Sequence, residues 1–396
     1  MDKQNYFFLN FLKFSFGGKF VLPPYNLKVD WDYMWECAMH QAIAGQYYVG
    51  LEKLRDLLKE NEKKTEIENK INLPQKQHYI NGIARYLSET KKNDRINIAL
   101  INFTDYLKKN GIRFFVFKGQ TVGSLYDRPE ARISGDIDFY IAKEDFASGL
   151  KLIQRKLKIE NSGSAQHLEF QTDDVNFELH FRTTLFNLQI NQDYWDNLVE
   201  EQFTRIYKIE DEAKWNYPFT LKVDGKDIPT FEPTLYAVYL FIHIYHHFMK
   251  EGIGLRQICD WMMYLRKMKN EIDQRRLKEI LERLKYEDAY KAFGCILVDY
   301  LGLNENDFPY SLTAKDRKWT DKILKVIFWG GNFGKNKRFF PKAGVLHSIE
   351  TGIRTLSHTI RFFCLSPREN MARFPNAIKL SFIKYSIKKR NYSFSE

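Results

Sequence analysis

The sequence predicts an α+β fold, with a mixed sheet in the middle of the chain and helical regions on both sides of it. Apolar residues recur at helical spacing before residue 110 and again after Pro233. In residues 112–182, by contrast, short β-branched and aromatic runs alternate with helical runs. The resulting order of strand, helix, strand, helix, strand and strand is typical of a mixed sheet.

The first predicted unit, residues 1–95, is an N-terminal helical region. Apolar side chains follow helical spacing over residues 31–66, and a second helical run covers about residues 80–109. The second run ends at Asn110-Gly111, a pair that is suited to a left-handed helix cap. The chain therefore passes from a helix directly into the predicted sheet.

The pattern of the aromatic stretch at residues 6–14 argues against a signal peptide. Asn10 and Lys13 interrupt it, and it lacks a basic segment at its start. The four cysteines are scattered without a Cys-x-x-Cys pair, which indicates neither a disulfide framework nor a zinc motif. We therefore expect a cytoplasmic protein.

The second unit, residues 96–200, holds the predicted sheet. Turn-forming clusters, among them Asp127-Arg128-Pro129-Glu130, separate its elements. The predicted strands are residues 112–117, 136–141, 167–171 and 175–182. A short helix at residues 122–126 follows the first strand, and a longer helix at residues 143–158 follows the second.

The rest of the chain divides into a mainly helical C-terminal domain, residues 201–310, and a basic, aromatic tail, residues 311–396. The chain has a net charge of +11. The tail holds 18 Lys and Arg against five Asp and Glu, so the whole basic excess lies there. This distribution argues against a uniformly basic nucleic-acid coat and indicates one local basic surface.

Two carboxylates on one predicted strand form the candidate site. Side chains alternate between the faces of a strand, so Asp136 and Asp138 project together while Ile137 and Phe139 face the core. Glu178, on a later strand, joins them if the two strands are neighbours. Paired carboxylates repel one another unless a cation lies between them, and such hard oxygen ligands suit Mg²⁺.

Basic and small residues near this pair suit a triphosphate. Lys118 and Gly119 end the first strand where a helix starts, and Arg132 and Ser134 shortly precede the carboxylates. Gly123-Ser124 is an alternative to Gly119. We prefer Gly119 because it directly follows the strand, where backbone amides are expected to be free.

These motifs resemble the polymerase-beta-type nucleotidyltransferase superfamily. The resemblance rests on Phe117-Lys118-Gly119-Gln120-Thr121, on Arg132-Ile133-Ser134-Gly135-Asp136-Ile137-Asp138 and on Phe177-Glu178-Leu179-His180. Within the superfamily, the chain is most similar to a poorly characterised branch of bacterial nucleotidyltransferases that has Lys-Gly in place of the usual Gly-Ser. Residues 240–265 also resemble the helical half of that branch.

The resemblance implies a nucleotidyltransferase-like mixed-sheet catalytic core at residues 96–200. It implies that Asp136 and Asp138 bind two Mg²⁺ ions, with Mn²⁺ as an alternative, and that Glu178 binds a metal or activates an acceptor hydroxyl. That hydroxyl would attack the α-phosphate of a nucleoside triphosphate, and pyrophosphate would leave. The basic and small residues named above would hold the triphosphate.

Histidines accompany the carboxylates. His180 shares a strand face with Glu178, and His167 lies on the preceding predicted strand. We therefore expect both histidines to contact the metal ligands and not the metal itself. His243 and His247 have the four-residue spacing of metal ligands on a helix. Their aromatic surroundings and the lack of a glutamate between them favour a packing role.

Two other functions stay open. The chain could be a non-catalytic protein of the same fold that binds RNA or a membrane surface, or a toxin-like enzyme that modifies a protein or a tRNA. The tail interleaves aromatic and basic residues, which suits anionic lipid, RNA or another polyanion, although helices packed on the body would show the same pattern. The acceptor, the base preference and the oligomeric state are not encoded in any motif of the chain.

Overall fold

A mixed sheet and a surrounding set of helices form the α+β fold that the sequence predicts. The computed structural model describes residues 1–156, 167–172, 174–208, 215–341 and 344–373. The helices in these residues are α1 (Lys3–Ser15), α2 (Trp31–His40), α3 (Ala44–Leu57), α4 (Asn61–Glu68), α5 (Lys76–Lys109), α6 (Gly119–Gly123), α7 (Phe146–Lys156), α8 (Gln189–Phe203), α9 (Pro233–Lys250), α10 (Leu255–Met268), α11 (Gln274–Leu284), α12 (Glu287–Ile296), α13 (Ala314–Arg317), α14 (Thr320–Gly330) and α15 (Val345–Arg361). The strands are β1 (Phe114–Phe117), β2 (Ile137–Ile141), β3 (His167–Thr172), β4 (Val175–His180), β5 (Tyr207–Lys208), β6 (Trp215–Asn216), β7 (Thr220–Val223) and β8 (Lys226–Pro229).

The central sheet has four strands in the order β1, β2, β4 and β3. β2 pairs with β1 in antiparallel orientation and with β4 in parallel orientation, and β3 lies antiparallel to β4 at the far edge. The register places Phe117 opposite Asp138, Asp138 beside Glu178, and Glu178 opposite Glu169. The parallel pair of strands therefore brings two of the predicted carboxylates side by side.

One face of the sheet is apolar and packs on α5. Val116, Phe139 and Phe177 point to this face from three neighbouring strands. Phe103 of α5 contacts the rings of Phe139 and Phe177 at centroid distances of 4.9 and 4.8 Å. Burial of these rings holds α5 against the sheet and leaves the other face for the polar residues.

The polar face is covered in part by helices from the second half of the chain. Phe115 of β1 contacts Phe203 of α8 at 4.3 Å, and Phe117 contacts Tyr239 of α9 at 5.2 Å. These aromatic contacts lie on β1, at the end of the face away from β3. The carboxylates of β2 and β4 lie beside them.

Three element boundaries differ from the prediction. α6 begins at Gly119 and not at residue 122, because the chain turns at Lys118 directly after β1. β2 begins at Ile137, so Asp136 lies before the strand. The run at residues 31–66 divides into three helices, with a break at Ala42, whose φ is 55°.

The N-terminal helices and the predicted tail share one apolar core. Phe8 of α1 packs against Tyr47 of α3 and Phe328 of α14, at 6.3 and 6.1 Å. Residues from all four predicted units contribute to this core, and α5 runs without a break across the boundary predicted after residue 95. The part of the tail at residues 374–396 lies outside the described residues. Among the described helices, none has the length and apolarity of a membrane-spanning segment.

Candidate functional site

The candidate site lies on the polar face of the central sheet. Asp138 on β2 is the register partner of Glu178 on β4, and Glu169 on β3 faces Glu178 from the other side. His180 and His167 form the next register pair on the same face of β4 and β3. Alternation along three neighbouring strands thus supplies three carboxylates and two imidazoles to one surface.

Asp138 is a buried carboxylate held by two donors. Lys118 Nζ and His180 Nε2 each lie 2.8 Å from Asp138 Oδ1, and 8% of the residue is exposed. Burial alone would raise the pKa of the Asp138 carboxyl, but the charge of Lys118 and the hydrogen bond from His180 hold it well below its usual range. Asp138 is therefore ionised at neutral pH.

His180 bridges two carboxylates. Its Nε2 lies 3.4 Å from Glu178 Oε2 in addition to its contact with Asp138. Burial disfavours the charged imidazolium, but the hydrogen bonds to Asp138 and Glu178 outweigh burial and raise the pKa of His180. The ring also meets the ring of Phe117 at 5.1 Å in an edge-on contact, which helps to fix its orientation.

His167 lies on the other side of Glu178. Its Nε2 is 3.0 Å from Glu169 Oε1, and its Nδ1 is 3.8 Å from Glu178 Oε2. The rings of His167 and His180 are 5.3 Å apart. Both histidines that the sequence placed around the site thus lie directly next to Glu178.

Lys118 reaches Asp138 from a strained turn. Its φ of 62° and ψ of −157° fall in a region that is otherwise almost confined to glycine. Its N–H donates to the Tyr236 hydroxyl at 2.7 Å, so the amide expected to be free at the strand end is occupied. Gly119 follows with φ 50°, and a Cβ there would lie 3.2 Å from the carbonyl oxygen of Asp136.

Asp136 lies in the loop before β2 and is exposed. Asn176 Nδ2 lies 3.4 Å from Asp136 Oδ1 and donates to it. The sequence pattern treated Asp136 and Asp138 as one pair on a strand. In the fold, Asp138 is inside the strand ladder and Asp136 flanks it.

Arg132 and Ser134 belong to a buried polar network. Arg132 donates from Nε and Nη2 to the two oxygens of Asp260 on α10, at 2.8 Å each. Ser134 accepts from Arg132 Nη1 at 3.1 Å and donates to Gln120 of α6. This network fixes the loop before β2 to two helices, and the contact of Arg132 and Ser134 with a triphosphate stays a prediction.

α9 adds three polar side chains that the sequence did not assign to the site. Tyr239, His243 and His247 follow at one-turn spacing, and the two imidazole rings are 4.4 Å apart. Tyr239 lies against Phe117, which also contacts His180. The spacing was visible in the sequence, but the direction in which this helix face points depends on how α9 crosses the sheet.

Burial keeps these α9 side chains uncharged. Burial, followed by the charge of Lys118, lowers the pKa of His243 well below its usual range, and burial lowers the pKa of His247 to about 4. Burial also raises the pKa of Tyr239, and the charge of Asp138 raises it further. Among the described residues, the Tyr239 hydroxyl and His247 Nδ1 are buried polar atoms without a hydrogen-bond partner. Such atoms next to an ionised cluster offer polar contacts to a bound group.

The oxygen donors of the site fit a divalent cation of the Mg²⁺ type. Asp138, Glu178 and the flanking Asp136 offer hard carboxylate oxygens. Asp138 Oδ1 receives the Lys118 ammonium and the His180 N–H, so a metal ion that binds this oxygen takes the place of one of these donors. The donor set therefore agrees with the metal that the motif resemblance implies.

Comparisons with known proteins bear on these motifs. A family model described as "Uncharacterised nucleotidyltransferase" matches residues 28–302. No curated protein matches the chain. Among solved structures, the chain is similar to an antigenic nucleotidyltransferase-like protein from Paracoccidioides brasiliensis, with 12% sequence identity and a TM-score of 0.30 over 55% of this chain and 98% of that chain.

Proposed function

The chain belongs to the uncharacterised nucleotidyltransferase family, and from this premise we propose that it transfers a nucleoside monophosphate from a nucleoside triphosphate to a hydroxyl acceptor. The observation that carries the proposal is the register pair of Asp138 and Glu178 on parallel strands, with Lys118 ion-paired to Asp138. Adjacent carboxylates can bind the metal ions of phosphoryl transfer, and a lysine can contact the phosphates.

Asp138, Glu178 and Asp136 are the proposed metal ligands, for Mg²⁺ or for Mn²⁺. Bound ions would offset the negative charge that develops on the phosphate oxygens. As an alternative to binding a metal, the carboxylate of Glu178 accepts the proton of the attacking hydroxyl. A new bond forms between that oxygen and the α-phosphorus, the bond to the β-phosphate oxygen breaks, and pyrophosphate leaves.

Lys118 is the proposed triphosphate contact. Its ammonium lies 2.8 Å from Asp138 and is partly exposed, so it can exchange this partner for a phosphate oxygen when the nucleotide binds. Gly119 keeps the adjoining turn free of a side chain. For Arg132 and Ser134 the supporting geometry is indirect, since both hold the loop that carries Asp136.

A screen with labelled substrates tests the proposed function. The protein is incubated with each of the four triphosphates, labelled at the α-phosphate, and with fractionated cell extract. We expect label to enter one acceptor class, with equimolar pyrophosphate release, and only when a divalent cation is present. Label on a protein or a tRNA would identify the toxin-like alternative within the same chemistry. A complete lack of transfer and of nucleotide binding would contradict the proposal and favour the non-catalytic alternative.

A second function, contact with an anionic membrane surface, is favoured by α15. This helix exposes six apolar side chains along one stripe, namely Val345, Leu346, Ile349, Ile353, Leu356 and Ile360. Within residues 331–341 and 344–373, both acidic residues, Glu350 and Glu369, are buried. In the same segment the exposed basic residues include Lys335, Lys337, Arg361 and Arg368. An apolar stripe that is accompanied by exposed basic residues is typical of helices that lie on anionic lipid. A location in the cytoplasm stays a prediction.

A further inference from the structure

Two histidines and a carboxylate converge at the β3–β4 edge of the site. Among the described residues, one ligand atom from each of His167, Glu178 and His180 lies within 4.8 Å of the others. Glu178 Oε2 is 3.8 Å from His167 Nδ1 and 3.4 Å from His180 Nε2. Ligands about 2.0–2.1 Å from a tetrahedral metal ion are separated by roughly 3.3–3.4 Å, so these atoms are close to a shared coordination sphere.

Glu169 orients one of the two imidazoles. Its carboxylate lies 3.0 Å from His167 Nε2 and accepts the hydrogen of that nitrogen. This contact orients the His167 ring with Nδ1 towards Glu178. Metal-binding histidines commonly donate their second N–H to a carboxylate in this way.

The three ligands are held by paired strands, and one side of the site is open to solvent. His180 is buried, whereas His167 and Glu178 are partly exposed, so an ion can reach the site from solvent over the polar face of β3 and β4. All three ligands lie on paired strands, where the backbone ladder fixes their spacing. Three protein ligands with an open position are the pattern of metal sites that also bind a water or a substrate.

We infer that His167, Glu178 and His180 bind a transition-metal ion of the Zn²⁺ class. Two imidazoles and one carboxylate suit Zn²⁺ or its neighbours in the first transition row, whereas Mg²⁺ prefers oxygen ligands. When the ion binds, His180 Nε2 exchanges its hydrogen bond to Asp138 for a bond to the metal, and its hydrogen leaves to solvent. The inference concerns ion binding by the free protein and does not need the proposed transfer reaction.

Cobalt absorption tests this site without nucleotide. Co²⁺ replaces Zn²⁺, and the intensity and position of its visible bands distinguish a four- or five-coordinate protein site from the octahedral ion in water. We expect one Co²⁺ per chain, displaced by Zn²⁺ but not by a thousand-fold excess of Mg²⁺. His167→Gln and His180→Gln should each lower the Co²⁺ affinity at least 100-fold, and Glu169→Gln should lower it about 10- to 100-fold by releasing the His167 ring.

Asp136→Asn is the matched control. Asp136 is a proposed Mg²⁺ ligand but is not among these three donors, so its variant should bind Co²⁺ like the wild type. Circular dichroism of each variant establishes that the fold is kept. An absence of visible bands at millimolar Co²⁺, or equal affinity in the wild type and His167→Gln, would overturn the inference. A wild-type protein that binds Co²⁺ but transfers no nucleotide would instead contradict only the proposed function.

Discussion

At the scale of single residues, Lys118 combines a strained backbone with a side chain that binds Asp138 in the candidate site. Its side chain neutralises Asp138, and its backbone has a φ of 62° and a ψ of −157°, a conformation that costs about 1–3 kcal/mol for a residue with a Cβ. The Tyr236 hydroxyl accepts its N–H and helps to hold this conformation. The sequence showed the Lys-Gly pair but not the strain, because the dihedral angles depend on Tyr236, which is 118 residues away.

A comparison of two variants at this position measures the strain. Lys118→Ala and Lys118→Gly both remove the ammonium, so their difference reports only the backbone. We expect Lys118→Gly to be the more stable by about 1 kcal/mol, since relief of strain exceeds the entropic cost of glycine. Urea unfolding measures the free energies.

Lys91, an exposed residue within α5, is the control for the glycine effect. In this helix the order should reverse, with Lys91→Ala the more stable by about 1 kcal/mol. If Lys118→Ala is also more stable than Lys118→Gly, the backbone at Lys118 is not strained in the folded protein.

His246 predicts a dependence of stability on pH. Both its nitrogens are engaged, by Thr184 at 3.0 Å and Tyr286 at 2.8 Å, although part of the ring stays accessible. Burial, followed by the charge of Arg373 and the neighbouring His247, lowers the pKa of His246 to about 3. Below about pH 6.5, His246 therefore binds a proton in the unfolded chain but not in the folded chain.

This difference in proton binding makes the unfolding free energy fall as the pH falls. Stability from a neutral His246 is present above pH 6.5 and is lost progressively as the pH falls towards 3. Relative to the wild type, His246→Gln should therefore lose about 2 kcal/mol less of its unfolding free energy between pH 7 and pH 5. Urea unfolding at both pH values gives the four free energies. Parallel losses in the two proteins would contradict this account of His246.

At the scale of elements, the strands of the sheet were predictable, but the residue at which β2 begins was not. Period-two alternation predicted the faces of β2 and β4. The sequence left open whether the two strands are neighbours, and the structure pairs them with Asp138 beside Glu178. The start of β2 could not be predicted, because it depends on where β1 ends: β1 stops at Phe117, opposite Asp138, and the chain turns at Lys118. Asp136 thus appeared to be a strand residue and is a loop residue.

The helix α15 carries the element-scale prediction for the C-terminal part of the chain. We expect the protein to sediment with vesicles that contain anionic lipid, and not with neutral vesicles. Charged substitutions in the stripe, Ile353→Glu with Ile360→Glu, should reduce the bound fraction at least tenfold, because both side chains are more than 60% exposed and would enter the lipid surface.

A matched control and two competing outcomes complete this test. Ile98 of α5 is also exposed, at 59%, and Ile98→Glu should leave vesicle binding unchanged. Equal binding by the stripe variant would contradict the lipid contact. Concentration-dependent dimerisation that the stripe variant abolishes would assign the stripe to a second copy of the chain, and salt-sensitive RNA binding without vesicle binding would favour RNA.

At the scale of the whole molecule, the second half of the chain completes the site. α9 places Tyr239, His243 and His247 near the ionised cluster of the sheet, and α10 holds Arg132 through Asp260. The sequence pattern favoured a packing role for His243 and His247, since the direction of this helix face depends on long-range contacts that no local pattern encodes. The family match at residues 28–302 likewise covers both the sheet and these helices.

The net positive charge of the chain is separated from the candidate site. The basic excess lies after residue 311, apart from the sheet that carries the carboxylates. The central claim therefore concerns acidic residues, and it depends most on Asp138 because two donors bind its Oδ1 inside the strand ladder.

Transfer of an α-phosphate label by matched variants tests this claim most directly. Asp138→Asn keeps the size of the side chain and removes its charge, and Glu279→Gln does the same at an exposed glutamate of α11. With circular dichroism showing that both are folded, we expect Asp138→Asn to lose at least a thousandfold in transfer rate, about 4 kcal/mol of transition-state stabilisation, and Glu279→Gln to match the wild type. Transfer at the wild-type rate by Asp138→Asn would contradict the account.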